Sequence, residues 1–302
     1  MTRQPPDAAA RSTRTGLMQA AGAYLIWGLL PLYFLLLKTV DAGEIVANRV
    51  IWSLALLFGI VALTRRGGRL WLALTSGRTL RLLALSAALI SVNWLVYIWS
   101  VQHAHVLEAS LGYFLNPLVN VVLGVLVLRE RLSRPQMAAV ALAALGVLVL
   151  ALQAGEGLWI SLTLAISFGL YGLVRKVAPV ESIEGLTIET LVLTPFAIAY
   201  LVWLDGQGVL AFGGDVTTTT LLAVAGVVTA IPLLLFAAGA RRLPYSVIGL
   251  LQYLAPTLQF LLAITLLGEQ MTTAHAICFA LIWAGLAVFV MGSIRRPRVA
   301  PV

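Results

Sequence analysis

Three charged residues stand where charge is costly. Arg49, Glu108 and Glu189 each fall within a long apolar run of the chain. A charged side chain at a bilayer centre costs about 2.5–3.5 kcal/mol on insertion scales, so each needs a partner or a task. Arg49 can hold an anionic group of a solute, pair with a carboxylate, or snorkel to the headgroups. Glu108 can pair with Arg49, or take up and release a proton. Its structural alternative is a helix-start carboxylate favoured by the macrodipole. Glu189 can couple or gate, and otherwise forms a salt bridge to Arg175 or Lys176. Glu44, closer to a run's edge, reads as interfacial.

Uncharged polar residues add a pattern. Tyr113, Asn116 and Asn120 recur at i, i+3 and i+7, within about 60° on a helical wheel, and so share one face. Amides in lipid must face the bundle or a cavity. Pro117 removes one backbone hydrogen bond and frees a carbonyl beside them. Gln252 and Gln259 form a matching stripe beside Pro256. Both prolines are expected to break their helices. The pattern predicts a solute cavity. Its structural alternative is hydrogen bonding between helices, about 0.6 kcal/mol per bond. Asn93, Tyr97, Tyr171 and Tyr253 are further pathway candidates. Trp27, Trp52, Trp94 and Trp99 can stack on an aromatic solute, pack, or anchor at the interface. His103 and His105 have no matching ligand set, so neither a metal nor a cofactor is expected. Cys278 is the single cysteine and reads as packing.

The elements that carry these residues follow from composition. Of 302 residues, 61% are hydrophobic and 11% charged. A soluble protein carries about 25% charge, so lipid must be the solvent here. A helix needs about 20 apolar residues to cross the hydrocarbon core. Spans are expected at 17–37, 43–63, 80–101, 107–128, 136–152, 158–174, 186–203, 220–238, 246–267 and 274–291. No stretch alternates as a strand. Residues 1–15 read as a polar, basic tail, and the apolar run that follows is too long for a signal h-region.

The chain is also duplicated. Residues 93–133 align without gaps on 232–272, at a constant offset of 139. Pro117 falls on Pro256, Glu130 on Glu269 and Asn120 on Gln259. A neighbouring offset of 140 puts Arg49 on Glu189 and Glu44 on Glu184. Two halves of five spans each must lie in opposite orientations, the inverted repeat common in secondary transporters. The halves are read as 16–152 and 153–292, between cytoplasmic tails 1–15 and 293–302. Eighteen of the 20 Lys and Arg residues fall in the tails or in alternate loops. The positive-inside rule then puts both termini in the cytoplasm. The net charge of +8 thus reports topology, and no nucleic acid is expected as a partner.

Longer motifs carry a family resemblance. Asn93-Trp-Leu-Val-Tyr-Ile-Trp99, Leu107-Glu-Ala-Ser-Leu-Gly-Tyr-Phe-Leu-Asn-Pro-Leu-Val-Asn-Val121 and Leu128-Arg-Glu-Arg131 resemble the RarD group of bacterial transporters. That group lies in the EamA branch of the drug/metabolite transporter superfamily. Tyr171-Gly-Leu-Val-Arg-Lys176, Ile188-Glu-Thr190 and Gln252-Tyr-Leu-Ala-Pro-Thr257 match as well, so the resemblance runs from about Gly16 to Gly292. The family often has His before the arginine of the second span, where this chain has Asn48. The resemblance implies an all-α integral membrane protein of ten helices in two five-helix inverted repeats. It further implies residence in the bacterial inner membrane and movement of small solutes, as efflux. The power source of such a transporter would be the proton gradient or exchange, with an intramembrane carboxylate, Glu108 or Glu189, required for proton coupling.

Uptake or exchange is physically equivalent. A scaffold or sensor has no need of two symmetric polar stripes. An enzyme acting on lipid-linked substrates would need a carboxylate cluster. Only 12 acidic residues are present, with no D-x-x-D or H-E-x-x-H motif. A cavity with Arg49, amides and aromatics fits a small anion, a zwitterion or a neutral aromatic. Oligomeric state is left open.

Overall fold

The structure, a computed structural model, describes residues 6–102, 106–152, 157–266 and 273–294, and among them there is no strand. The helices are α1 (Pro6–Leu35), α2 (Ala42–Leu63), α3 (Gly67–Thr75), α4 (Gly77–Gln102), α5 (Val106–Leu126) and α6 (Arg134–Ala151). They continue as α7 (Leu158–Val177), α8 (Ser182–Gly206), α9 (Val216–Arg242), α10 (Tyr245–Gln252), α11 (Leu254–Thr265) and α12 (Thr273–Ile294). Seven of them are long and apolar enough by themselves to cross a membrane. The chain is therefore an all-α membrane protein.

Helix ends are set by local polar chemistry. Asp41 and Asp215 cap α2 and α9, each carboxylate accepting a backbone N–H three residues on, at 2.9 Å. The Ser133 N–H donates to Gln136 Oε1 at 2.8 Å, with Pro135 in the first turn of α6. Lys176 ends α7 and donates to the carbonyls of Ala240 and Leu243, orphan acceptors at the end of α9.

Twelve helices are described where ten spans were expected, for two reasons. The basic connection after α2 folds into α3, which buries Leu70 and Ala73 and exposes Trp71 and Leu72. Such a short amphipathic helix suits a membrane interface. The ninth expected span is divided into α10 and α11 at Tyr253.

The two prolines behave differently, which corrects the expectation that both break a helix. Pro256 is the third residue of α11, where its missing N–H costs nothing. Pro117 lies inside α5, which continues through it. Close packing holds that site: a Cβ on Gly249 of α10 would come within 2.6 Å of the Pro117 carbonyl oxygen.

Glutamates pin connections of one half to helices of the other. Glu44 is wholly buried rather than interfacial, because its carboxylate accepts the backbone N–H groups of Ala211 and Phe212, the latter at 2.7 Å. Glu130 accepts the N–H groups of Tyr245 (2.6 Å) and Ser246 (2.9 Å), capping α10. Glu184 pairs with Arg66 in the connection after α2, at 3.3 Å.

The core lies where α1, α7, α9 and α10 meet. Tyr24, Tyr171, Phe236 and Tyr245 are fully buried there. α6 and α12 pack together over a second cluster that contains Cys278 and Phe279.

Candidate solute-binding cavity

Arg49 sits in the second turn of α2 and reaches across to α9. Its Nε donates to Thr229 Oγ1 at 2.7 Å. The guanidinium carbon lies 4.9 Å from the Trp94 ring centre and 5.6 Å from that of Phe34. Those are cation–π distances. No carboxylate among the described residues pairs with it.

Arg49 lines a cavity of about 370 Å³. Asn93, Tyr113, Asn116, Gln252, Gln259 and Pro256 all line it, together with Tyr24, Trp27, Trp94, Tyr97 and Phe168. Seven of the ten pathway residues nominated from the sequence, Arg49 and Tyr97 among them, thus share one chamber built by α1, α2, α4, α5, α7, α9, α10 and α11.

Several of these side chains are fixed from behind. Asn93 Nδ2 donates to the Leu164 carbonyl (2.9 Å) and to Ser167 Oγ (3.1 Å), tying α4 to α7. Gln252 Oε1 accepts from Asn120 Nδ2 at 2.6 Å. Gln259 Nε2 donates to the Trp27 carbonyl at 3.1 Å, across to α1. Tyr97 and Tyr113 meet edge to face, ring centres 5.7 Å apart. Asn116 Oδ1 is buried without a partner.

Three pathway candidates lie elsewhere. Asn120 stands behind Gln252, fully buried. Tyr171 stacks on Phe236 at 6.2 Å in the aromatic core that closes the cavity toward the start of α1. Tyr253 packs into the cluster between α5, α6 and α12. On a helix it stands about 100° from Gln252 and so faces away from the stripe that Gln252 and Gln259 make.

Glu189, one of the two coupling candidates, does not line the cavity. Glu189 is paired with Arg175 at 3.4 Å, both side chains 2% exposed, and it accepts the Ser86 hydroxyl of α4. Arg175 also donates to the Ser182 carbonyl at 3.0 Å. Glu108 falls in the first turn of α5, and its side chain lies outside the described residues, as do His103, His105 and Glu269.

Thr229, Tyr24, Phe34 and Phe168 were not singled out in the sequence. Thr229 had a signal, an isolated hydroxyl in the apolar run Val227-Val-Thr-Ala-Ile231. The aromatics had none, because an aromatic facing a cavity and one facing lipid read alike.

A larger groove of about 980 Å³ runs between α2, α4 and α8, separated from the cavity by Trp94. Leu95, Phe196 and Trp159 are exposed along it, and its walls are almost wholly apolar. That lining suits acyl chains. The polar chamber at Arg49 is the better candidate for a solute.

The model of the EamA-like transporter family matches residues 14–152 and again 155–291. Protein RarD of Streptomyces exfoliatus is 48% identical over 286 residues, covering 94% of this chain and 91% of its own length. Protein RarD of Escherichia coli (strain K12) is 45% identical over 290 residues, covering 96% and 98%. A solved crystal structure of another protein superposes with a TM-score of 0.73 at 20% identity, covering 93% of this chain and 99% of the other. At that identity the likeness concerns the fold alone.

Proposed function

The chain belongs to the EamA-like transporter family, within its RarD group, and from that premise we propose a secondary active exporter of small metabolites or drug-like compounds. It works by alternating access around the Arg49 cavity. The observation that carries this reading is the cavity itself, which collects Tyr113 and Asn116 of one stripe, Gln252 and Gln259 of the other, Pro256 and an intramembrane cation. Neither stripe would build a chamber alone.

We read the architecture as two inverted five-helix repeats. In this reading α1, α2, α4, α5 and α6 correspond to α7, α8, α9, α10–α11 and α12. The packing map supports it, because exchanging counterparts returns the most extensive helix contacts. α1 against α9 becomes α7 against α4, and α1 against α11 becomes α7 against α5. α2 with α8, α5 with α10 and α6 with α12 map onto themselves. The charged contacts also correspond. Arg49 of α2 takes a hydroxyl partner on α9, and Glu189 of α8 takes one on α4.

The family resemblance supports inner-membrane residence, and the Lys and Arg distribution supports cytoplasmic termini. In that frame the cavity faces outward. The cytoplasmic side is shut by the aromatic core, where Tyr24 donates to the Ile248 carbonyl (3.2 Å) and Tyr245 to the Gly169 carbonyl (2.6 Å). The Arg175–Glu189 pair lies beyond it. Rocking one repeat against the other exchanges the closed and open ends. Protons are the proposed coupling ion, with Glu189 and Glu108 as the carboxylates that carry them.

The test compares extracellular metabolites of cells making equal amounts of wild type and of Arg49→Ala. Compounds enriched outside only with wild type are the expected result. Equal profiles, with both proteins in the membrane, overturn export through Arg49. Depletion of the same compounds from the medium would reverse the direction to uptake.

A further inference from the structure

We propose that the cavity selects organic monoanions: one small anionic group, such as a carboxylate, seated at Arg49, on an apolar, preferably planar body. The inference deepens the reading of this chamber as the transport site and rests on it.

The Arg49 end of the chamber is rich in donors and poor in acceptors. Among the described residues the guanidinium is anchored by one atom only. Nε is committed to Thr229, while Trp94 and Phe34 lie beside the group. The Nη groups have no hydrogen-bond or ion-pair partner among the described residues, and Arg49 lines the cavity. Anchoring by Nε presents the remaining N–H fork in a fixed direction, the geometry that matches a carboxylate edge.

The Tyr97 and Tyr113 hydroxyls lie within electrostatic range of the guanidinium, line the same chamber, and carry no hydrogen bond among the described residues. Gln252 has its oxygen occupied by Asn120, which leaves its amide N–H groups for the cavity. All four groups can donate to an anion. No carboxylate lines the chamber among the described residues, so none of them compensates an ammonium. A cation would meet an unopposed guanidinium. A zwitterion would satisfy Arg49 and strand its ammonium among aromatic walls. A neutral solute would leave the cation without a counter-charge in a low-dielectric site, where opposite charge counts most. Beyond Arg49 the walls are Trp27, Phe168, Ile90 and Leu233, which suit a flat apolar body.

The experiment uses the full-length protein in lipid nanodiscs and one carbon skeleton in four charge states. The probes are 3-phenylpropionate, 3-phenylpropanamide, 3-phenylpropylamine and phenylalanine. Thermal stabilisation at matched concentration reports binding. The expected result is a rise in Tm with the propionate alone, with apparent affinity at least tenfold above the other three. Arg49→Gln should remove that rise. Thr229→Val keeps the cation and should weaken binding several-fold, which guards against an Arg49 variant that does not fold. Stabilisation by the amide or the amine equal to that by the propionate overturns the proposal. So does retention of the propionate effect in folded Arg49→Gln.

Counterflow of the propionate in proteoliposomes separates this proposal from the transport reading. Binding without exchange would sink transport through the cavity and leave the anion preference standing. Exchange that ignores probe charge would do the reverse.

Discussion

Asn120 of α5 donates to Gln252 of α10 through a 2.6 Å hydrogen bond between two fully enclosed side chains. The bond joins the two halves of the chain at the end of α10, where α10 gives way to α11. It also turns the Gln252 amide N–H groups toward the cavity. Replacing either residue by Ala should loosen the junction between α5 and α10. A double-mutant cycle on unfolding in detergent should give a coupling of about 0.6 kcal/mol, with about 1.7 as an upper bound from known membrane pairs. Additive single effects would mean that the contact contributes only shape.

Arg175 and Glu189 form the only ion pair among the described residues with both partners almost wholly buried. Removing one partner strands a charge, so Glu189→Gln should destabilise by about 3–5 kcal/mol. The double change Arg175→Met/Glu189→Leu should recover most of that loss, because apolar replacement of a buried pair is often neutral or favourable. Thermal unfolding of the three variants checks the sign. Gradient-driven transport by the recovered double variant would remove Glu189 from proton coupling.

Gly226 marks the closest approach of α9 to α2. A Cβ there would meet the Trp52 backbone and come within 2.5 Å of the Ser53 nitrogen. Ser53 Oγ also donates to the Gly226 carbonyl at 3.0 Å. Backbone cannot yield as a side chain can, so Gly226→Ala should cost about 1–3 kcal/mol. It should also shift Thr229, one turn on, and weaken ligand binding at Arg49. Unchanged Tm and unchanged ligand affinity would refute the close contact.

Glu181 lies in the connection before α8, with Arg66 at 2.5 Å and Arg69 at 3.0 Å. The hydrogen bond from Arg66 holds its carboxyl below the ordinary glutamate range. A carboxylate depressed on folding adds stability above its unfolded pKa and loses it as pH falls through the folded value. Stability should therefore decline below about pH 4.5, and Glu181→Gln should flatten that part of the curve. Both partners are substantially exposed, so the effect should stay under about 1 kcal/mol and shrink with salt. A profile identical to wild type, measured from pH 7 to pH 4, would exclude this ion pair as a contributor.

Much of this protein is written in its sequence because lipid imposes a strict rule. Backbone polar groups in hydrocarbon must be satisfied within the segment, so apolar length alone predicts helices. The expected spans accordingly fall on α1, α2, α4 to α9, α10–α11 and α12. Polar residues in such runs must face inward, so the stripes and Arg49 could be nominated without a fold. The matching of Pro117 with Pro256 and of Glu130 with Glu269 was visible for the same reason that repeats always are.

Only the tertiary structure decided what those residues do together. Tyr253 read as a pathway residue, but packing buries it in the cluster between α5, α6 and α12. Pro117 read as a break, yet packing by α10 carries α5 through it. Glu44 read as wet, and the connection after α8 folds over it. Sequence left Arg49 with a carboxylate, a headgroup or a solute to choose from. The fold gives it Thr229, two aromatic neighbours and an open chamber, because long-range packing alone determines which groups from distant helices share a space.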